Sequence, residues 1–375
     1  MTSPMRAGLP GFLRLSAAAL LASCAGAFAQ PTDSAPAFAI QAHEGPRTQV
    51  LLNWSLAISG QWPTHCPPTL ENVTLDGHDL HVNARSVLEL CERGTTPFSI
   101  EVNPALALQR AGMGAGVYHV SFYAADGTQS PPKLRAFALL DRNYAGTPMV
   151  TPETGFWWTN DTADANRSTI NLELQDGQLS VALLSYDDDG QPVWYFGAAP
   201  YAGHIAHLPL LRLVGGNGPF MQAAAVPRGD AALTLDLEFH SAAHATAWLS
   251  RTHAGDSSLQ LQTLDLVRLP LVDSSDGRAW QGDWVLLVDA PNAVPTRVHF
   301  EQNRAVDASH FELADTAAGV TLTCTREPAQ PDWPPVSCSL SDGTKAVETF
   351  TSVALGRMDG QRGDRAPAHL LRVTP

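Results

Sequence analysis

Between Gly155 and Phe196 apolar and polar side chains alternate along the chain with a period of two. Ile170, Leu172 and Leu174 fall on one side and Asn171, Glu173 and Gln175 on the other, the pattern of a strand buried on one face. Asp176-Gly177 suits the positive backbone angles of a tight hairpin, and Leu179, Val181 and Leu183 then resume the alternation. Asp189-Gly190 turns the chain again, into the aromatic strand Val193, Trp194, Tyr195 and Phe196. With the tryptophan-rich opening at Gly155–Trp158, the stretch predicts a four-strand antiparallel meander.

The same alternation predicts strands on both sides of it. Upstream, Val50, Leu52, Trp54, Leu56 and Ile58 form the inner face of a first strand, and WPTHCPP after it is irregular. Asp76-Gly77 leads into a strand carrying Leu80 and Val82. A late strand runs from Ala115 to Phe122, and Asp126-Gly127 turns it back through Phe137 and Leu139. Roughly seven short strands with regularly spaced turns predict a β-sandwich over 45–141, with 30–44 as a linker before it. Downstream, Leu233, Leu235, Leu237 and Phe239 alternate with Thr234, Asp236 and Glu238. Two more strands follow at 245–253 and 258–269, and the apolar phase slips between Leu261 and Leu264, as a β-bulge would make it. These belong with the meander in a barrel-like domain over 152–272. A second Gly-Trp opening, Trp280 to Trp284, precedes strands around Val298, Thr321–Cys324, Cys338–Leu340 and Val347–Leu355. Residues 278–375 are therefore a second β-domain or the completing strands of one larger barrel, and the Asp/Ser/Gly run at 273–278 favours a separate lobe. The expected fold is all-β, an N-terminal immunoglobulin-like sandwich followed by one or two antiparallel barrel or meander domains, with no helical segment of convincing length outside the leader.

Composition adds the compartment. Residues 1–29 read as a secretory signal, with Arg6 and Arg14, the apolar run LSAAALLA and the small-residue site Ala27-Phe28-Ala29 before Gln30. The run is too short to span a bilayer. A rival cut before Cys24 would give a lipid-anchored protein. Loss of Arg6 and Arg14 with the leader leaves 21 basic against 37 acidic side chains, a formal charge of −16, which disfavours duplex nucleic acid and anionic membranes as partners. Five cysteines become four without Cys24, an even number that suits disulfides in an exported chain. Proximity favours Cys66 with Cys91 and Cys324 with Cys338, each worth about 3 kcal/mol by loop entropy.

Two stretches resemble known modules. The Gly-x-Tyr entry at Gly116-Val117-Tyr118 resembles the tyrosine-corner region of immunoglobulin-like and fibronectin-like sandwiches, and 45–141, with WPxxC and a later cysteine before TPF, looks like an immunoglobulin-like module of exported proteobacterial proteins. Gly155, Trp157, Trp158, Asn160, Tyr186, Asp187, Gly190, Pro192, Trp194 and Tyr195 carry a second pattern, G-x-W-W-N followed by YDxxGxPxWY. It resembles a recurring β-module of exported proteobacterial proteins, and this chain departs from it at TADANRST, where the family has a Ser-Gly-x-Gly turn. The Gly-x-Trp opening is also similar to that of avidin-like and lipocalin-like barrels. These resemblances imply fold and compartment, and no activity.

Candidate chemistry is sparse. His240 and His244 would share a helical face as metal ligands, but they follow a strand alternation and flank a hairpin tip, and no third ligand is indicated. His78 with His81 and His204 with His207 are weighed the same way. Asp187-Asp188-Asp189-Gly190 is similar to the start of a calcium loop without its closing glutamate, so a turn with aspartates capping backbone amides is expected. Arg362-Gly363-Asp364 reads as a chance tripeptide. There is no GxSxG elbow, P-loop or dinucleotide glycine run. No cofactor, metal or catalytic residue is expected.

Aromatic surface remains. Trp194 and Phe196 share one face of their strand and Tyr195 the other, so one set must face outward. The expected binding residues are Trp194, Tyr195 and Tyr201, in an exported non-catalytic binding or adhesion accessory whose partner is an envelope protein or glycan. The alternatives are a small-ligand carrier, if the barrel interior is unfilled, and a hydrolase with a dispersed site.

Overall fold

The computed structural model describes residues 38–44, 54–142, 150–159, 168–201, 203–215, 220, 228–253, 257–269, 276–326, 334–343 and 346–373. The leader, Cys24, Val50, Leu52, Asn160, most of TADANRST and most of the 141–151 linker lie outside the described residues.

The first unit comprises β1 (Phe38–Glu44), β2 (Trp54–Thr64), β3 (Thr69–Asp76), β4 (Asp79–Arg85), β5 (Arg93–Val102), a helix α1 (Ala105–Ala111), β6 (Val117–Ala125) and β7 (Lys133–Asp141). They form two sheets, ordered β1-β2-β5 and β3-β4-β6-β7, with β4 and β6 parallel and the other pairs antiparallel. Alternate residues of both sheets, among them Trp54, Leu56, Ile58, Leu80, Val82, Tyr118, Val120 and Phe122, interlock in one core. Tyr118 donates its hydroxyl hydrogen to Gly114 O at 2.5 Å, fixing the entry into β6. Two expectations need correction. Phe38–Glu44 is no linker: it pairs with β2 along its whole length, and Phe38 is buried against Trp62 and Phe98. The short α1 also escapes pattern reading, because seven residues span only two turns; Leu108 anchors it and Gly112 caps it in the left-handed conformation.

The second unit comprises β8 (Gly155–Thr159), β9 (Thr169–Gln175), β10 (Gln178–Tyr186), β11 (Pro192–Pro200), β12 (Ile205–Val214), β13 (Arg228–Ser241), β14 (His244–Thr252) and β15 (Leu259–Arg268). All are antiparallel, each to its sequence neighbour, and β15 returns to β8, with Trp157 opposite both Arg268 and Ile170, so the barrel closes within this stretch. Trp157, Leu172, Val181, Leu208, Leu237 and Phe239 are among the side chains that fill its interior. The β14–β15 register is unbroken, so the bulge expected between Leu261 and Leu264 is absent. The apolar phase changes for another reason: Leu264 and Leu266 point into the barrel, whereas Leu261 faces outward against the first unit.

The third unit comprises β16 (Gly282–Val288), β17 (Thr296–Phe300), β18 (Gln302–Ala305), β19 (His310–Asp315), β20 (Val320–Thr325), β21 (Ser337–Asp342), β22 (Ala346–Val353), β23 (Arg357–Arg362) and β24 (Pro367–Arg372), in a sheet ordered β17-β16-β24-β23-β22-β21-β20-β19-β18. Its ends approach each other, where His299 N–H donates to Asp315 Oδ2 at 2.8 Å, so this barrel is nearly closed around its own core of Trp280, Trp284, Phe300, Phe311 and Phe350. Both expected cysteine pairs are bonded, Cys66 to Cys91 and, across β20–β21, Cys324 to Cys338.

The units meet at two junctions. Val117 and Leu139 of the sandwich cover Trp248 of the barrel, with Phe137, Ile205 and Leu261 around them. At one end of the barrel, Glu153 accepts the Gly356 N–H and Ala242 and Ala243 pack on Ala354.

Candidate functional site

Strand β11 alternates. Val193, Gly197 and Ala199 are buried with Tyr195 partly so, while Trp194 and Ala198 are exposed and Phe196 is half-buried. Val193 and Tyr195 are therefore inward, and Tyr195 packs on the barrel core. Register places Leu184 of β10 beside Trp194 and Ala182 beside Phe196, and Leu211 of β12 on the other side of Phe196. Continued by two residues, the same register brings Leu213 beside Trp194. Tyr186 is diagonal to it on β10. Trp194 is 63% exposed, Tyr186 59% and Leu213 50%. Leu184, Phe196 and Leu211 lie half-buried between them. This is a contiguous apolar patch across three strands, larger than the scattered single hydrophobics that any surface carries. In the strand order β11, which bears Trp194, lies three strands from β14, which bears Trp248, so the patch faces away from the junction with the sandwich.

Next to the patch, the turn between β10 and β11 is held by its own charged groups. Asp187 accepts the N–H groups of Gln191 at 2.9 Å and Asp189 at 3.2 Å, and its other oxygen meets Arg212 at 3.1 Å. The Gln191 amide, with help from the others, holds the Asp187 carboxyl below the usual aspartate value. Asp188 pairs with Arg251 at 3.0 Å. The DDDG stretch is thus a turn in which Asp187 caps backbone amides, as expected from its sequence. Asn171, exposed on β9 opposite Ala182, gives the patch a polar edge.

Of the three residues singled out for binding, Trp194 alone stands fully on this face. Tyr195 lines the barrel interior. Tyr201 is a correction: it is 5% exposed, packs edge-on against Phe239, and donates its hydroxyl hydrogen to Val150 O at 2.7 Å and Gly203 O at 3.0 Å. The chain leaves β11 at Pro200, so the strand's alternation no longer governs Tyr201, which folds under the barrel end. Burial, with Asp141 nearby, raises its pKa above that of a free phenol.

The histidines are ordered by side-chain oxygens. His240 Nε2 lies 2.8 Å from Thr246 Oγ1, His244 Nε2 lies 2.7 Å from Asp265, and the two rings are 5.1 Å apart across the Ala242-Ala243 turn. Burial lowers the His240 pKa. They border a cleft of ≈ 390 Å³ between the barrel and the third unit, walled by Val267, Pro334, Val336 and Val353. His207 pairs with the buried Asp236 at 2.7 Å, which raises its pKa. Arg362 pairs with Asp364 within its own hairpin, so that tripeptide's charges are mutually engaged.

Sequence reading missed a second exposed apolar element. Val87, Leu88 and Leu90 are 65%, 54% and 94% exposed in the loop that Cys91 ties to Cys66. SVLELC has the composition of a strand, and only its irregular backbone shows that the leucines have no core to enter.

Among known proteins, no family model matches the chain and no curated protein matches it.

Proposed function

We propose that the chain is an exported, non-catalytic binding or adhesion accessory of the cell envelope, and that it recognises its partner, an envelope protein or glycan, through the outward face of β10, β11 and β12 centred on Trp194. The observation that carries this reading is the exposure of Trp194, Tyr186 and Leu213 side by side on a face that no other unit covers among the described residues. Rigid aromatic rings lose few rotamers on binding and are frequent hot spots, and Asn171, exposed beside Ala182 on the same face, supplies a hydrogen-bond group at the edge of the apolar centre. The disulfides, the leader-like N-terminus and the immunoglobulin-like pattern of the first unit fit an exported modular protein. The carrier alternative has less support, because large side chains fill the barrel interior. The hydrolase alternative has no residue constellation behind it among the described residues.

The test is Trp194→Ala in the full chain, with binding to envelope fractions as the readout and thermal unfolding as the control. Reduced binding at an unchanged unfolding temperature is expected. Undiminished binding would remove the face from consideration.

A further inference from the structure

At the junction of sandwich and barrel, His119 of β6 lies between two carboxylates. Its Nδ1 is 2.8 Å from Asp79 Oδ1, in its own unit, and its Nε2 is 2.7 Å from Glu238 Oε2, on β13 of the barrel. Its ring packs on Trp248 with centroids 4.6 Å apart. The His119 side chain is 21% exposed and that of Glu238 15%, so solvent and salt screen this contact less than a surface pair.

The geometry constrains protonation. A neutral imidazole has one N–H and one lone pair, so it can donate to one of the two carboxylates and must turn its lone pair on the other. The imidazolium donates to both. We propose that the sandwich–barrel junction is a proton-dependent latch, closed when His119 is an imidazolium and loosened when that proton is lost.

The surroundings agree. On β4, Asp79 accepts from His119, and just before it the His78 carbonyl accepts the His119 backbone N–H; on β7, Leu139 stands opposite it; on β13, Glu238 faces it and His240 lies beyond; on β14, Trp248 covers it. His240 and His119 oppose one another's charge, and Asp265 on β15 offsets this at His240. Burial alone would lower the His119 pKa, but the hydrogen bonds to Glu238 and Asp79 outweigh it and hold it above the ordinary histidine value. The docked state therefore binds this proton more tightly than the undocked one. Its contribution is complete below the value His119 has in the undocked sandwich, where Asp79 still partners it, and is lost as pH rises through the higher docked value.

The experiment is a distance measurement in the full chain between fluorophores at Glu101→Cys on β5 and Asn171→Cys on β9, both exposed. In the otherwise native chain the distribution should be narrow at pH 5.5 and broader at pH 8.5, the open population rising by at most about tenfold per pH unit, as one-proton linkage requires. In Glu238→Gln a neutral His119 donates to Asp79 and accepts from the glutamine amide, so the distribution should stay narrow at both pH values. His119→Gln, which carries no titrating proton, should give one distribution at both. An unchanged distribution in the native chain, or Glu238→Gln broadening as the native chain does, would overturn the latch.

Discussion

Gly155 and Gly282 occupy the same place in two barrels, and replacing each by alanine separates two costs that usually arrive together. Each opens a first strand, with φ of +115° and +119°, two residues before a tryptophan whose Nε1 donates to the carbonyl four residues upstream of it, Glu153 O at 2.9 Å and Trp280 O at 2.8 Å. Each lies under the arginine of the last strand. Arg268 donates to Thr154 O and Phe156 O, and Arg372 to Ala279 O and Gln281 O. An alanine at either site carries the backbone strain of a side chain at positive φ, about 1–3 kcal/mol. At Gly155 alone the new Cβ would stand 2.5 Å from Arg268 Nη2, whereas at Gly282 the nearest atom, Arg372 Nη2, is 3.7 Å away. The Arg268 guanidinium must move and weaken hydrogen bonds worth about 1.5–3 kcal/mol each in their charged form, discounted because the group is partly exposed. The expected loss is therefore about 2–5 kcal/mol for Gly155→Ala and about 1–3 kcal/mol for Gly282→Ala. Native-state hydrogen exchange reads each barrel by its own amides, those of β9 and β10 for the first and β20 and β21 for the second. In an Arg268→Ala background the excess cost at Gly155 should vanish, since the two residues share one contact. Equal losses at the two glycines, or no coupling to Arg268, would refute the reasoning.

Two further outcomes follow from single buried groups. Tyr201→Phe deprives the Val150 and Gly203 carbonyls of one donor and should lower barrel stability by about 1–2 kcal/mol in urea unfolding while leaving envelope binding intact; weakened binding at full stability would restore Tyr201 to the recognition surface. Burial lifts the Glu153 pKa against its hydrogen bonds from Gly356 and Leu355 and the charges of Arg268 and Arg372. The stability tied to its proton is therefore present below the ordinary value of 4.5 and lost as pH rises through the lifted one. Glu153→Gln should flatten the dependence of unfolding temperature on pH above 4.5, and a profile parallel to that of the native chain would contradict this.

The strands legible in the sequence are those with one covered face. Ile170, Leu172 and Leu174, or Leu235, Leu237 and Phe239, alternate against solvent-facing or paired polar neighbours, and their period-two signal survives intact. The signal degrades where a strand is covered twice. Leu261 serves the sandwich and Leu264 the barrel interior, and this change of client looks like a bulge when only one core is imagined. β6 is similar, with Tyr118, Val120 and Phe122 in the sandwich and Val117 and His119 toward the barrel. His119 could not have been singled out from sequence at all: its partners lie 40 and 119 residues away, and pairing of β4 with β6 brings Asp79 to it while only the docking of two units brings Glu238. Alternation put Trp194 and Tyr195 on opposite faces without saying which face is outward, and Tyr201 was not legible, because no alternation extends past Pro200.

The two Gly-x-Trp openings bear on what counts as a functional signal. In both barrels glycine supplies the positive φ of the opening, at Gly155 also leaving room for the last-strand arginine, while the tryptophan is buried in the core and the arginine ties the strand's carbonyls, so the motif is accounted for by closure and says nothing about a ligand. An outward aromatic face is not part of that requirement. Among the described residues of the third unit, the exposed large hydrophobics are Val294, Val306, Val336 and Val373, with no aromatic ring among them. Among its described residues, a nearly closed barrel built on the same opening thus shows no counterpart of Trp194 and Tyr186. Their exposure in the second unit costs solvation without contributing to closure, and this makes that face the place to look for a partner.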